Sequence, residues 1–240
     1  MQVVERKMKK SRRPDKPRGG MAIRIAGRLD IPEWVRDHES FRRWARSPDC
    51  PEKMRFAFYN GDLWVDAEME QFYAHNDVKA ECTAVLRPLF SKRETGRYAT
   101  DGMLLSHPSV GLSTVPDGFY FSFEALQAGR IREITGTANG CIEFEGIPEL
   151  VLEVVSDSSE DKDLVDLPFL YWEAGIPEYW IIDARTKEVR FEVLKHGPKA
   201  YLTTRKQAGG WLKSDVFGRS FRLVRGTDPI GKTIYSLEVK

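Results

Sequence analysis

The chain has 240 residues, of which 41% are hydrophobic and 30% are charged, a composition typical of a soluble globular domain with a sizeable core. It contains no run near the roughly 18 apolar residues that a membrane-spanning helix needs, and the charged N-terminus lacks the apolar region of a secretory signal. The three cysteines show neither paired spacing nor metal-ligand spacing, which argues against a disulfide framework or a zinc site and favours a reducing cytoplasm.

The chain begins with a strongly basic segment that the net charge of +1 conceals. Residues 1–20 carry eight Lys or Arg against Glu5 and Asp15, a local net charge of +6. Such a segment is either a disordered, solvated tail or an arm that holds nucleic acid through its phosphates. We therefore predict a disordered basic arm over residues 1–20 and a single domain over residues 21–240.

The domain is predicted to open with a short helix and a β-hairpin. Ser40 begins the helical run at 40–46 and is its expected cap. Two strand-like runs within 55–65 flank Asn60-Gly61, a dipeptide that strongly favours a two-residue hairpin turn.

A longer helix is predicted over about 69–90, where apolar residues recur at helical spacing, and Pro88 is expected to kink or end it. The run at 150–155 is apolar on both faces except for Glu153, which is typical of a central strand in a covered sheet. The short strands predicted in this part of the chain are 102–105, 118–123, 142–144 and 150–155.

The second half of the chain predicts a βαβ unit followed by a meander. A helical stretch ends at Ala174, before Gly175 and Pro177, and a buried strand follows at 179–183. The predicted fold class is α/β, with a mixed sheet flanked by helices and a C-terminal β-meander. The strands of the meander are predicted at 189–194, 200–204 and 221–224.

Glu153 is the residue that a purely structural account does not explain. An unpaired buried carboxylate costs several kcal/mol, so a core strand does not tolerate it without a partner. A basic side chain, a proton or a metal ion would each satisfy it. The structural alternatives are a salt bridge or a strand end that reaches water.

Asp117 is a second acid that gains interest from its position. The sequence Pro116-Asp117-Gly118 is good β-turn chemistry, and a turn is the simpler interpretation. However, Asp117 also opens a strand 36 residues before Glu153. If the two strands are neighbours, both acids point into one cleft and offer the oxygen ligands that Mg²⁺ prefers.

Around these acids the chain resembles the PD-(D/E)XK nuclease superfamily, and more closely its Uma-type branch of restriction-endonuclease-like bacterial proteins. Pro116-Asp117 matches the PD half of the motif, and Glu153 matches the second acid on its central strand. The resemblance spans about residues 30–228. Its other matching segments are His75-Asn76, 149–156, 174–183 and 216–223.

The resemblance implies a restriction-endonuclease-like core, cleavage of DNA that depends on Mg²⁺ or Mn²⁺, and often a homodimer. Carried over by position, Asp117 and Glu153 would bind the metal. A helix acid often joins the superfamily's metal site, and Glu81 is the candidate here, with a solvated helix acid as the alternative.

The chain departs from the superfamily at its lysine. The expected position, two residues after the second acid, holds Val155, and the position used in much of the Uma-type branch, near Leu167, is not lysine either. Lys162 is the nearest substitute and would assist catalysis as a cation. The alternative is a surface lysine paired with Glu160 or Asp163.

The backbone around Lys162 allows two interpretations. In the first, Ser158 would cap the helix and Asp161 would close a capping box, which would point Lys162 toward Glu153. Alternatively, Pro168 opens a new helical segment capped by Asp166, which would leave Lys162 on a looser turn.

Two functions remain open at this point. The first is a metal-dependent endonuclease acting on DNA, with Asp117, Glu153 and Lys162 as catalytic residues. The second is a catalytically degenerate nuclease fold that binds nucleic acid or a protein. A lysine within reach of the cleft between the acids would favour the first. An unrelated hydrolase finds little support, because no nucleophile motif or histidine pattern is present.

Overall fold

The chain divides into two compact units, Met1–Trp34 and Val35–Lys240. In the first unit, strands β1 (Ile23–Arg24) and β2 (Arg28–Leu29) pair in antiparallel fashion. The predicted boundary between arm and domain, after residue 20, lies outside the described residues and stays a prediction. The structure is a computed structural model that describes residues 23–24, 28–29, 31–51, 55–66, 71–91, 95–136 and 140–240.

The second unit contains both helices and strands. Its helices are α1 (His38–Ala45), α2 (Val78–Ser91), α3 (Phe123–Gln127) and α4 (Leu167–Glu173), and π-helical segments, Phe72–Asp77 and Lys162–Asp166, precede α2 and α4. Its strands are β3 (Arg55–Tyr59), β4 (Asp62–Asp66), β5 (Gly96–Thr100), β6 (Leu104–His107), β7 (Leu112–Thr114), β8 (Gly118–Ser122), β9 (Ile131–Thr135), β10 (Cys141–Gly146), β11 (Leu150–Val154), β12 (Glu178–Asp183), β13 (Arg190–His196), β14 (Tyr201–Thr203), β15 (Leu212–Ser214), β16 (Arg219–Thr227) and β17 (Thr233–Val239). No helix within the described ranges combines the length and the apolar composition needed to cross a bilayer.

A six-stranded mixed sheet with the order β14-β13-β12-β11-β8-β5 forms the centre of this unit. β11 pairs in parallel with β12 and antiparallel with β8, and α4 lies in the crossover between β11 and β12. The predicted βαβ unit and the predicted mixed sheet are therefore confirmed. A second six-stranded sheet has the order β4-β3-β7-β6-β10-β9, and β15, β16 and β17 form a third.

Both faces of β11 are buried, as the apolar run predicted. Val151 and Val155 pack into a core cluster with α4 and the second sheet, whereas Leu150, Leu152 and Val154 pack into a cluster with α2 and the third sheet. Alternate residues of a strand point to opposite faces. Glu153 therefore shares the face of Val151 and Val155.

The boundaries of the first helices differ from their predicted positions. The cap of α1 is Asp37, whose carboxylate accepts from the Ser40 backbone N–H at 2.8 Å, while Ser40 itself is the third helical residue of a capping box. The prediction of Ser40 as the cap was therefore wrong by three positions. Pro88 lies inside α2 and does not end it.

The hairpin and the C-terminal antiparallel meander are both confirmed. Asn60 and Gly61 have φ values of 54° and 80°, as a two-residue hairpin turn requires. Two of its predicted strands, β13 and β14, extend the central sheet, and the third, β16, lies in the third sheet. The third sheet also includes β17, which was not predicted, although Tyr235 and Leu237 show the alternating burial of a strand.

Glu178, on β12, attaches the third sheet to the central one. Its side chain is 1% exposed and accepts hydrogen bonds from Trp180 Nε1 at 3.0 Å, Ser214 Oγ at 2.7 Å and the Val216 backbone N–H at 3.1 Å, as well as from the Asp215 N–H. Glu178 lies in the 174–183 segment of the family resemblance, so part of that resemblance has a structural cause.

We expect Glu178→Ala to lower the free energy of unfolding by about 3 kcal/mol, because several buried donors lose their acceptor. Chemical denaturation followed by circular dichroism measures the effect. Glu173→Gln, at an exposed position on the end of α4, is the matched control and should change stability by less than about 0.5 kcal/mol. Equal effects from the two variants would contradict this role.

Candidate active site

The register of β8 and β11 brings Asp117 next to Glu153. Leu152 pairs with Gly118 across this antiparallel ladder. Glu153, the next residue on β11, therefore faces Asp117, the residue before Gly118. The Asp117 backbone N–H donates to Glu153 Oε2 at 3.3 Å, and the Val154 N–H donates to Asp117 Oδ2 at 2.7 Å. Each carboxylate is thus oriented by the backbone of the other strand.

Gly118 is required by close packing and not by turn geometry. Its φ is not positive, so it does not adopt the left-handed conformation for which a turn needs glycine. A Cβ at this position would lie 1.9 Å from the hydroxyl oxygen of Tyr98, on the neighbouring β5. The absence of a side chain lets Tyr98 cover the strand directly beside Asp117.

Glu153 is a buried carboxyl group without an ion-pair partner among the described residues. Its side chain is 1% exposed, and Tyr171 donates its hydroxyl to Oε1 at 2.9 Å. Burial raises the pKa of Glu153 well above its usual range, and the positive charge of Lys162 opposes this only in part. The salt bridge considered for this residue is not observed, which leaves a proton or a bound cation to neutralise it.

Asp117 lies in a different electrostatic environment. His75 Nε2 is 3.5 Å from Oδ2, and Lys79 Nζ is 3.4 Å from Oδ1 and 2.9 Å from Asp101 Oδ2. Burial alone would raise the pKa of Asp117, but the hydrogen bond and charge of His75, together with the charge of Lys79, lower it below its usual value. Asp117 is therefore held in its ionised form.

Lys162 extends from the π-helical segment before α4 into the same region. Its Nζ is 3.3 Å from Asp163 Oδ1, and only 23% of its side chain is exposed. Burial alone would lower the pKa of Lys162, but the charges of Glu153 and Asp163 raise it above its usual value. The predicted ion pair between Lys162 and Asp163 is therefore present. However, Lys162 is largely buried and is not the surface lysine that this alternative described.

Of the two caps considered for this helix, only Asp166 holds the expected position, directly before α4 and with Pro168 in the first turn of that helix. Asp161 and Asp166 make no side-chain cap hydrogen bond, and the π-helical segment continues directly into α4. Ser159 instead donates its hydroxyl to Asp163 Oδ2 at 2.5 Å. Burial raises the pKa of Asp163 to about 6 against the opposing effects of Lys162 and Ser159.

A cleft of about 290 Å³ collects these groups. The sequence-predicted residues Asp117, Glu153 and Lys162 all line it, together with His75 and Asp163. The structure does not bring Glu81 to this group. Its carboxylate accepts from the Leu237 backbone N–H at 2.8 Å and so joins α2 to β17.

The donor set of the cleft fits a hard divalent cation. Among the residues that the structure describes, no group of three or more His, Cys, Asp or Glu side chains is arranged to hold a metal. Mg²⁺ needs fewer protein ligands, since one or two carboxylates suffice when water and substrate phosphates complete its coordination shell. Asp117 and Glu153 supply that number, and because burial raises the pKa of Glu153, a cation bound beside it would stabilise its ionised form.

Two residues of the site have roles that sequence reasoning did not identify. Lys79 follows His75 by four positions, one helical turn, so this spacing could have indicated that both face Asp117. Tyr171 is one of eight tyrosines and carries no signal of its own. Only the packing of α4 against β11 shows that its hydroxyl reaches Glu153.

Comparison with known proteins places the chain in a family. The family model described as Uma2, putative restriction endonuclease, matches residues 38–224. The crystal structure of a putative nuclease belonging to DUF820 from Anabaena variabilis ATCC 29413 is similar, with a TM-score of 0.56 and 15% identity over 76% of this chain and 90% of that chain. No curated protein matches the sequence significantly. The structural match shows a restriction-endonuclease-like fold, and because the family model covers more than half of the chain, this protein belongs to the Uma2 family of putative restriction endonucleases.

Proposed function

We propose that this protein is a metal-dependent endonuclease that hydrolyses phosphodiester bonds in DNA. The observation that carries the proposal is that Asp117, Glu153 and Lys162, from three separate elements, line one cleft. A buried acid without an ion pair is costly to the fold, so its retention beside a second acid favours a functional reason. Membership of a family of nucleases supports the same conclusion.

Asp117 and Glu153 are the residues that would hold Mg²⁺ or Mn²⁺. When bound, such an ion activates a water molecule and neutralises charge on the phosphodiester. The chain's own contribution is orientation. The Val154 N–H positions Asp117, and the Tyr171 hydroxyl positions Glu153, so neither carboxylate has to reorganise when substrate binds.

Lys162 acts in this proposal as a fixed positive charge rather than as a base. Its pKa is raised by Glu153 and Asp163, so the ammonium keeps its proton at neutral pH and cannot accept another. Within the cleft it is suited to stabilise the negative charge that develops on the phosphate oxygens in the transition state. In this way it replaces the lysine that is missing at Val155.

Incubation of supercoiled plasmid with the purified protein tests the proposal. We expect nicking with Mg²⁺ or Mn²⁺, none with a chelator, and a rate at least about 100-fold lower in Asp117→Ala, which loses a metal ligand. Asp49→Ala, at an exposed position outside the cleft lining, should behave as wild type. Nicking that survives Asp117→Ala undiminished, or no nicking under any condition, would overturn the proposal.

One observation favours the second candidate, a catalytically degenerate binding module. Val155 and Leu167, at the two positions where a lysine is expected, are 0% exposed and belong to the apolar core. If Lys162 does not substitute for that lysine, the protein would bind DNA without cleaving it. Binding in a mobility-shift assay, together with an intact plasmid in every metal, is the result that this candidate predicts.

A further inference from the structure

Trp64 is an exposed aromatic side chain inside the candidate catalytic cleft. It lies on β4 and lines the same cleft as Asp117 and Glu153. Its exposed fraction is 47%, whereas Phe56, which also lines the cleft, is 5% exposed. A large apolar surface left open beside polar catalytic groups is typical of a place where ligand binds.

The indole ring is supported from one side. Tyr59, on β3 across the hairpin, stacks on Trp64 with ring centroids 5.1 Å apart and an interplanar angle of 4°. Tyr59 is 1% exposed and belongs to the core cluster that also contains Val151 and Val155. Because its supporting ring is held in the core, the indole is a preorganised flat surface, and ordering it on binding costs little entropy.

The chemistry of the substrate indicates what this surface would meet. The inference rests on the proposed function, in which the scissile phosphate lies at Asp117 and Glu153. Each phosphate in a nucleic acid is joined through a sugar to a base, so the adjoining base must lie in or beside the same cleft. Aromatic side chains bind exposed bases by stacking, and every base has a π-face that permits it.

We propose that Trp64 is a base-stacking platform for the nucleotide next to the scissile phosphate, and that the substrate strand is unpaired there. A base inside a duplex is already stacked, and extruding it costs a few kcal/mol. Single-stranded or mismatched DNA avoids much of that cost. Stacking also reads no base edges, so the platform favours unpaired DNA over paired DNA without selecting a base.

A cycle of protein and DNA variants tests this inference. Fluorescence anisotropy measures the affinity for a labelled dT12 oligonucleotide and for a 12-unit abasic oligonucleotide of the same charge. The assay contains Ca²⁺, which takes the same kind of oxygen ligands as Mg²⁺, and gels verify that the DNA stays intact. We expect Trp64→Ala to weaken binding of dT12 by about tenfold while leaving the abasic oligonucleotide unchanged.

Two further variants separate stacking from a change of shape. Trp64→Phe keeps an aromatic ring and should retain part of the preference for dT12 over the abasic oligonucleotide. Phe169→Ala removes an aromatic ring that is 58% exposed on α4, outside the cleft lining, and should leave that preference intact. Thermal melting verifies that each variant is folded. Equal losses for both oligonucleotides in Trp64→Ala, or no loss for either, would overturn the inference.

The same experiment distinguishes this inference from the proposed function. Cleavage of DNA by the wild-type protein, combined with no dependence on the base at Trp64, contradicts the stacking platform alone. A base-dependent loss in Trp64→Ala, combined with no cleavage in Mg²⁺ or Mn²⁺, contradicts the proposed function alone. A blunt duplex of the same length should bind more weakly than dT12 in the wild type and equally weakly in Trp64→Ala.

Discussion

Glu153→Gln is expected to abolish plasmid nicking without destabilising the protein. The substitution preserves the shape of the side chain but removes the charge that would hold a metal, so the nicking rate should fall by at least about 100-fold. Burial raises the pKa of Glu153, which shows that its ionised form is disfavoured in the fold. A neutral amide avoids this penalty, and the melting temperature should stay the same or rise.

The two readouts together distinguish a catalytic acid from a structural one. Glutamine retains one oxygen that can accept the Tyr171 hydroxyl, while its NH2 group replaces Oε2, whose bond from the Asp117 N–H is the longer one at 3.3 Å. Glu124→Gln is the matched control, because Glu124 has an 83% exposed side chain and should affect neither activity nor melting temperature. If Glu153→Gln unfolds the protein, or nicks plasmid at the wild-type rate, the role assigned to this carboxylate is wrong.

Lys162→Met is expected to lower kcat by about 100-fold while leaving the affinity for DNA nearly unchanged. Methionine fills similar space without charge, so the change removes the stabilisation of a transition state that is more negative than the ground state. Initial rates over a range of substrate concentrations separate kcat from KM. Lys162→Arg keeps the positive charge and should recover part of the lost rate.

The same variant should also lose stability, in contrast to Glu153→Gln. Lys162 opposes the effect of burial on the pKa values of Glu153 and Asp163, so its removal takes a positive charge away from two buried carboxyl groups. We expect the free energy of unfolding to fall by about 2 kcal/mol. Lys199→Met, at an exposed position, controls for the loss of a lysine. If folded Lys162→Met keeps the wild-type kcat, Lys162 does not take the place of the superfamily's lysine.

Local patterns in the sequence were enough to predict several features of the molecule. The run around Glu153 is apolar on both faces, and that alone placed an acid in a central, covered strand. Asn60-Gly61 determined a hairpin, because its residues tolerate the positive φ that the turn requires. The Gly175 stop and the strand after it determined a parallel βαβ unit.

The composition of the site depended on contacts between distant segments, which no local pattern encodes. Asp117 meets Glu153 because β8 and β11 pair in one particular register, and a shift by one residue would turn either side chain to the other face. Tyr171 reaches Glu153 only because α4 packs on β11, while Glu81 is drawn away from the cleft by β17. The sequence by itself therefore determined that an acid is buried, and the tertiary structure decided which groups surround it, since register and packing are set by the whole sheet.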